Sequence, residues 1–236
     1  MKITKEELQA LRPIKNYCLV KITRKMDEIE RGSLKLYYDK SYDDYKNAPV
    51  VGTIFKTPSK LTFDWHGVEN ETDMELQDGD QVYFKYLAYV NAMPGENEND
   101  HKYYEVDNDP AVYILIKYDS IFCIRRQNDE IYPINGYVIC EPLDAEDKWH
   151  SDIIIQPQIT NEIYKRSETF AKVVSIGSPI KKYRSPNVPL DDKNLKVGDV
   201  VAIDYACDIP LEVELHQTLP KTLFRVLRKD ILGVLN

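Results

Sequence analysis

The strongest constraint on this chain is that it repeats itself. Pro13-Ile14-Lys15-Asn16-Tyr17-Cys18-Leu19-Val20 recurs as Pro133-Ile134-Asn135-Gly136-Tyr137-Val138-Ile139-Cys140. Gly52-Thr53-Ile54-Phe55 recurs, at almost the same spacing, as Ala171-Lys172-Val173-Val174. The run from Leu76 through Gly79-Asp80 to Tyr86 recurs as Leu195 through Gly198-Asp199 to Tyr205. Ser120-Ile121-Phe122-Cys123-Ile124 parallels Asp230-Ile231-Leu232-Gly233-Val234 at a shorter spacing, because the first copy carries an acidic insert over 91–109. Four blocks in one order point to a tandem duplication of a unit about a hundred residues long, the commonest size for a domain. The expected domains are 1–126 and 127–236, with the linker near Arg125-Arg126-Gln127-Asn128-Asp129-Glu130.

Within each copy the pattern is β. Short runs rich in Val, Ile, Tyr and Phe are cut by Gly, Pro, Asn and Asp. Gly79-Asp80 and Gly198-Asp199 predict tight turns entering half-buried strands, with the aspartates as turn formers rather than catalytic acids. The one good helix signal is N-terminal: Thr4-Lys5-Glu6-Glu7 forms a capping box, Leu8 and Leu11 supply an apolar stripe, and Pro13 ends the run. Many short strands with long irregular loops predict a mainly β fold, a small barrel or sandwich in each copy.

The net charge of −8 argues against a nucleic-acid binder, which presents a basic face. The basic run Lys181-Lys182-Tyr183-Arg184 is explained by a solvated loop. No apolar run approaches the ~20 residues of a membrane span, and the opening MKITKEELQ lacks the apolar stretch of a signal peptide. A soluble cytoplasmic protein is expected. The four cysteines, Cys18, Cys123, Cys140 and Cys207, form no CxxC pair; Cys18 and Cys140 sit in apolar runs and are expected to pack as small hydrophobes. The four histidines, His66, His101, His150 and His216, have no metal-ligand spacing, so no metal and no cofactor is expected.

The order of the blocks resembles the GroES-like co-chaperonins, small β-barrel proteins that cap the folding chamber of chaperonin rings. The family's early strand is matched by Arg12-Pro13-Ile14-Lys15-Asn16-Tyr17-Cys18-Leu19-Val20-Lys21. Its later elements are matched by Ala171-Lys172-Val173-Val174-Ser175-Ile176-Gly177, by Lys196-Val197-Gly198-Asp199-Val200-Val201 and by Asp230-Ile231-Leu232-Gly233-Val234. The resemblance runs through most of 131–236 and is looser in the first copy. It implies two tandem GroES-like small β-barrels with long loops and a short N-terminal helix. It also implies a homo-oligomeric ring and a chaperonin partner, a GroEL-like ring bound in a nucleotide-dependent way.

In that family the working part is the long loop after the first strand, which ends in an apolar tripeptide that docks on the chaperonin. Here Ile153-Ile154-Ile155 stands where the resemblance places the tripeptide, between Ser151-Asp152 and Gln156-Pro157. Leu34 and Leu36 of Gly32-Ser33-Leu34-Lys35-Leu36 are the counterpart in the first copy. Leu34 lies as far beyond Pro13 as Ile153 beyond Pro133, to within a residue, and the spacing from Leu36 to Gly52 equals that from Ile155 to Ala171. Taken alone, three isoleucines read as a short buried strand; the shared spacing favours docking. Ser151-Asp152 and Gly32-Ser33 replace the family's Gly-Gly, and Lys35 interrupts the first triple, so Ile153–Ile155 is the expected main contact. The tyrosine-dense stretch 36–46 suits a further contact surface.

GroES-like folds also form part of zinc-dependent alcohol dehydrogenases, but those need a G-x-G-x-x-G nucleotide turn and Cys/His ligands. Nine glycines form no such turn here, and no nucleophile elbow or phosphate loop is present, so no catalytic residue is expected. The competing reading is a GroES-like structural or assembly ring or adaptor protein, for example of a bacteriophage virion.

Overall fold

The computed structural model describes residues 1–23, 28–31, 34–37, 50–65, 68–93, 102–126, 131–144, 166–179, 195–204, 209–210 and 223–235. These are mainly β and fall into two compact units, one running from Met1 to Ile131 and one opening at Tyr132.

The first unit begins with β1 (Lys2–Ile3), helix α1 (Lys5–Ala10) and β2 (Tyr17–Thr23). It continues with β3 (Glu28–Arg31), β4 (Leu34–Tyr37), β5 (Val51–Lys56), β6 (Lys60–Trp65), β7 (Val68–Asp73) and β8 (Gln81–Phe84). Helix α2 (Tyr86–Val90), β9 (Tyr103–Val106), β10 (Ala111–Lys117) and β11 (Ile121–Arg125) complete it, and the division between units falls within β12 (Ile131–Pro133). The second unit holds β13 (Tyr137–Asp144), β14 (Arg166–Ile176), β15 (Val200–Ile203), β16 (Ile209–Pro210), β17 (Phe224–Leu227) and β18 (Ile231–Leu235).

The sheets have matching cores. In the first unit the order β9-β10-β2-β5-β8-β11 corresponds, strand for strand, to β16-β17-β13-β14-β15-β18 in the second. The correspondence extends to single bonds. Lys15-Asn16 and Asn135-Gly136 all have positive φ, and each pair turns the chain so that Tyr17 N–H reaches the Ile14 carbonyl and Tyr137 N–H the Ile134 carbonyl, both at 3.1 Å. Gly79 and Gly198 take φ of +94° and +95°, the left-handed region that a side chain would strain. There Gly79 N–H donates to the Ile54 carbonyl and Ile54 N–H to that of Asp80, both at 2.8 Å; Gly198, Val173 and Asp199 repeat this pair of bonds at the same distance. Each aspartate accepts from the backbone N–H three residues before it, Asp80 from Gln77 at 2.9 Å and Asp199 from Lys196 at 2.7 Å, as expected of turn formers.

The core follows from period-two geometry, which sends alternate residues of a strand to one face. In the second unit that face carries Val138 and Cys140, Ala171 and Val173, Val201 and Ile203, and Phe224 and Val226. In the first unit the corresponding Cys18, Val20, Ile54, Val82, Phe84, Ile114 and Ile116 are buried. Its opposite face is also closed: Leu8 of α1 packs with Leu19, Tyr104, Ala111 and Tyr113. The capping box aims that helix, with Thr4 Oγ1 accepting from Glu7 N–H at 3.2 Å and Thr4 N–H donating to Glu7 Oε2 at 2.8 Å. Burying a leucine there is worth about 1.5–3 kcal/mol.

Two expectations need correction. The strand expected to run to Tyr86 stops at Phe84: Lys85 N–H makes a last bond across to the Ser120 carbonyl at 2.9 Å, and α2 begins directly after it. That strand is also not half-buried: Val82, Tyr83 and Phe84 are all buried, with the Arg125 guanidinium 5.9 Å from the Tyr83 ring centre. Within the acidic insert, β9 pairs antiparallel with β10 and parallel with β1, burying Tyr103 and Tyr104. In the linker region Arg125 closes β11, and Arg126 binds Asp80 through Nε and Nη2 at 3.0 and 3.1 Å and the Glu75 carbonyl at 2.7 Å.

Among the described residues, no helix is long and apolar enough to cross a membrane. Cys18, Cys123 and Cys140 are buried, and Cys207 lies outside the described residues. Burial pushes the Cys18 and Cys140 thiols up to about 12, the charge of Asp78 adding to the effect at Cys18. A raised thiol value means less thiolate at pH 8, so native protein should resist alkylation at both sites until denaturant is added, as peptide mass spectrometry would show.

One packing difference between the copies is reciprocal. Val20 and Gly52 in the first correspond to Cys140 and Ala171 in the second, a larger residue meeting none and a smaller one meeting a methyl. A Cβ at Gly52 would lie 2.4 Å from Val20 Cγ1 and 2.9 Å from the Lys21 carbonyl oxygen. Gly52→Ala should therefore cost about 1–3 kcal/mol in urea unfolding, and adding Val20→Cys should recover part of the loss.

Candidate partner-binding segments

Both segments singled out by the sequence join the same pair of strands. β2 pairs antiparallel with β5, with Lys21 opposite Thr53 and Val20 opposite Ile54, and β13 pairs antiparallel with β14, with Cys140 opposite Val173. The ladders share an irregularity, between Leu19 and Val20 in the first and between Ile139 and Cys140 in the second. Antiparallel neighbours can be joined by two residues. Here the connection runs through residues 24–50 in the first copy and 145–165 in the second, far more chain than closure requires.

The ladder extends to the mouth of the second segment, where Asp144 stands opposite Arg166. Just inside it Lys172 Nζ lies 3.3 Å from Glu141 Oε1, a cross-strand ion pair. The corresponding edge of the first unit is charged as well. Lys21 Nζ sits 5.7 Å from the Tyr113 ring centre and 3.9 Å from Asp109 Oδ2. Asp109 accepts from Ala111 N–H at 2.9 Å and from the Tyr113 hydroxyl at 2.8 Å, bonds that hold its carboxyl below the usual value. Burial, with Asp109 beside it, pushes the Tyr113 hydroxyl up to about 12. Exposed pairs of this kind contribute at most about 1 kcal/mol; they orient the strand ends rather than hold the fold.

Leu34 and Leu36 lie on β4, which forms a two-stranded hairpin with β3. The register sets Leu34 opposite Arg31, Lys35 opposite Glu30 and Leu36 opposite Ile29. Sequence reasoning missed this hairpin, although Ile29-Glu30-Arg31 and Leu34-Lys35-Leu36 alternate on either side of Gly32-Ser33, a dipeptide suited to a two-residue connection. Ile153, Ile154 and Ile155 lie outside the described residues, as do Trp149 and the four histidines. Of the tyrosine-dense stretch, Leu36 and Tyr37 end β4 and the rest lies outside. Among the described residues no group of three or more His, Cys, Asp or Glu could hold a metal ion.

Because Asp144 and Arg166 are already register partners, replacing 145–165 by Asn-Gly should change the unfolding free energy by no more than about 2 kcal/mol, and in the stabilising direction, the scale of loop-closure entropy. A loss of several kcal/mol in urea unfolding would instead mean that the isoleucines pack as core. No protein-family model matches the chain, and no curated protein matches it.

Proposed function

We propose that this chain is a tandem GroES-like co-chaperonin, two small β-barrels that assemble into a ring and cap a chaperonin to assist protein folding. One observation carries the reading. In two repeats with the same strand order, the same antiparallel pair is joined by a connection much longer than closure needs, and each connection bears an apolar cluster at nearly the same spacing from the matching blocks on either side, Pro13 and Gly52 in the first copy and Pro133 and Ala171 in the second. A segment that the fold does not need for closure is available for a partner. Ile153, Ile154 and Ile155 would supply the main contact and Leu34 and Leu36 a secondary one. Burying each isoleucine in a partner's groove is worth about 1.5–3 kcal/mol before the ordering cost of the segment. A ring multiplies such weak contacts through effective concentration, giving firm but releasable capping. The protein itself carries out no chemistry in this reading; the partner binds and hydrolyses the nucleotide.

The second reading is a GroES-like structural or assembly ring, or an adaptor of a virion, without chaperonin binding. It is favoured by β4, since positions 34 and 36 are already paired in a hairpin rather than held for a partner.

The test is binding to chaperonin double rings with ATP, with ADP and without nucleotide, comparing wild type with Ile154→Asp. The co-chaperonin reading expects nucleotide-dependent binding that the substitution weakens at least tenfold, with thermal unfolding unchanged. Folded wild type that binds under no condition would leave the structural reading in its place.

A further inference from the structure

Asn135-Gly136 is the one Asn-Gly pair in the chain, and that dipeptide is open to a reaction that needs no enzyme. The backbone nitrogen of the glycine attacks the asparagine Cγ, the bond from Cγ to the side-chain nitrogen breaks, and ammonia leaves behind a five-membered succinimide. Water then opens the ring at either carbonyl, giving aspartate or isoaspartate. Glycine favours the step because it has no side chain to hinder the attack. The attacking nitrogen must first give up its proton and swing round to face Cγ, so the rate depends on backbone conformation.

The fold withholds both conditions. Asn135 and Gly136 are held in the left-handed region, with φ of 57° and 77°. Gly136 N–H donates to the Ser178 carbonyl at 2.7 Å, which keeps the proton on the nitrogen and points it at another segment. Asn135 N–H reaches Ser178 Oγ at 3.3 Å, and Arg228 N–H closes on the Gly136 carbonyl at 2.9 Å. The turn is thus stitched to the chain after β14 and to the chain after β17. Asn135 is 6% exposed, which also restricts the water that the second step needs. The first copy does not repeat this chemistry: Asn16 is followed by Tyr17, and its side-chain amide is bonded to Thr62 on both sides.

We infer that Asn135 is a self-modification site gated by the fold: it stays intact while the turn is closed on Ser178 and Arg228, and converts to aspartate or isoaspartate when the turn opens. Breaking a few bonds is enough, so local opening counts as well as global unfolding. The conversion is one-way. Isoaspartate adds a methylene to the main chain inside a turn whose bonds fix its length, so the second unit cannot return to the same closed form. The inference rests on the geometry of this turn and holds whatever partner the chain binds.

Peptide mass spectrometry of the full chain, incubated in mildly alkaline buffer with and without denaturing urea, tests it. Conversion at Asn135 is expected to be at least about tenfold slower in the native protein than in urea. Gly177→Ala isolates the turn, because a Cβ there would lie 2.4 Å from the Pro133 carbonyl oxygen and 2.8 Å from that of Tyr137, pushing the two segments apart. That variant, with an unchanged circular dichroism spectrum, should convert at least about threefold faster than wild type in native buffer. Ser178→Ala, which removes the Oγ acceptor, takes its place with the same expectation if Gly177→Ala does not fold. The isoaspartate form, separated by ion exchange, should unfold at a lower urea concentration than the unmodified chain. Native conversion as fast as in urea, or a folded variant that converts no faster than wild type, would overturn the gate. An isoaspartate form as stable as the unmodified chain would overturn the one-way step.

Discussion

The fold depends on a two-bond clasp made twice. A glycine in the left-handed region donates to a carbonyl of the neighbouring strand, and the N–H of that same strand residue donates back to the aspartate after the glycine: Gly79, Ile54 and Asp80 in one unit, Gly198, Val173 and Asp199 in the other. The clasp sets where β8 enters beside β5 and where β15 enters beside β14, and so which face of each later strand meets the core. A shift of one residue would turn Val82 and Phe84, or Val201 and Ile203, away from the interior. In the first unit Asp80 does more, since Arg126 closes on its carboxylate and ties the end of β11 to the turn.

Around that shared frame the repeats diverge by addition. Among the described residues, the first unit adds β1, outside β9, with α1 after it, and the β6–β7 hairpin between β5 and β8. The side chain of Asn16 fastens that hairpin, donating to the Thr62 carbonyl and accepting from the Thr62 N–H, both at 2.7 Å. Gly136 stands at the equivalent position and has no side chain to make such bonds. The left-handed turn thus keeps its shape in both copies while its second residue has taken on a local task in one. Val20 with Gly52, and Cys140 with Ala171, show the same logic inside the core, where close packing ties the size of one residue to that of its neighbour.

Much of this was legible in the sequence. The duplication, the mainly β character, the two Gly-Asp turns and the capping box rest on signals a few residues long, and local backbone geometry enforces them directly. The β3–β4 hairpin was legible as well, in the alternation on either side of Gly32-Ser33. The end of β8 at Phe84 was not legible: Tyr86-Leu87-Ala88-Tyr89-Val90 suits a strand as well as a helix, and local pattern does not say that the chain turns into α2 right after Lys85 bonds to Ser120. The burial of Tyr103 and Tyr104 was hidden in the same way, since an acidic setting suggests solvent, and only pairing with β10 and β1 turns them inward.

Pro13-Ile14 and Pro133-Ile134 draw the final distinction. By itself the sequence determined that both dipeptides precede a tight left-handed turn and a buried strand, because proline, the turn residues and the apolar run act over a few bonds. It could not determine that Ile134 is covered and Ile14 bare, or that Phe122 is covered and Leu232 bare. Burial depends on what the rest of the chain brings alongside, and equivalent residues in matching local settings differ only in that. The tertiary structure alone decided which surfaces this protein keeps for itself and which it leaves uncovered.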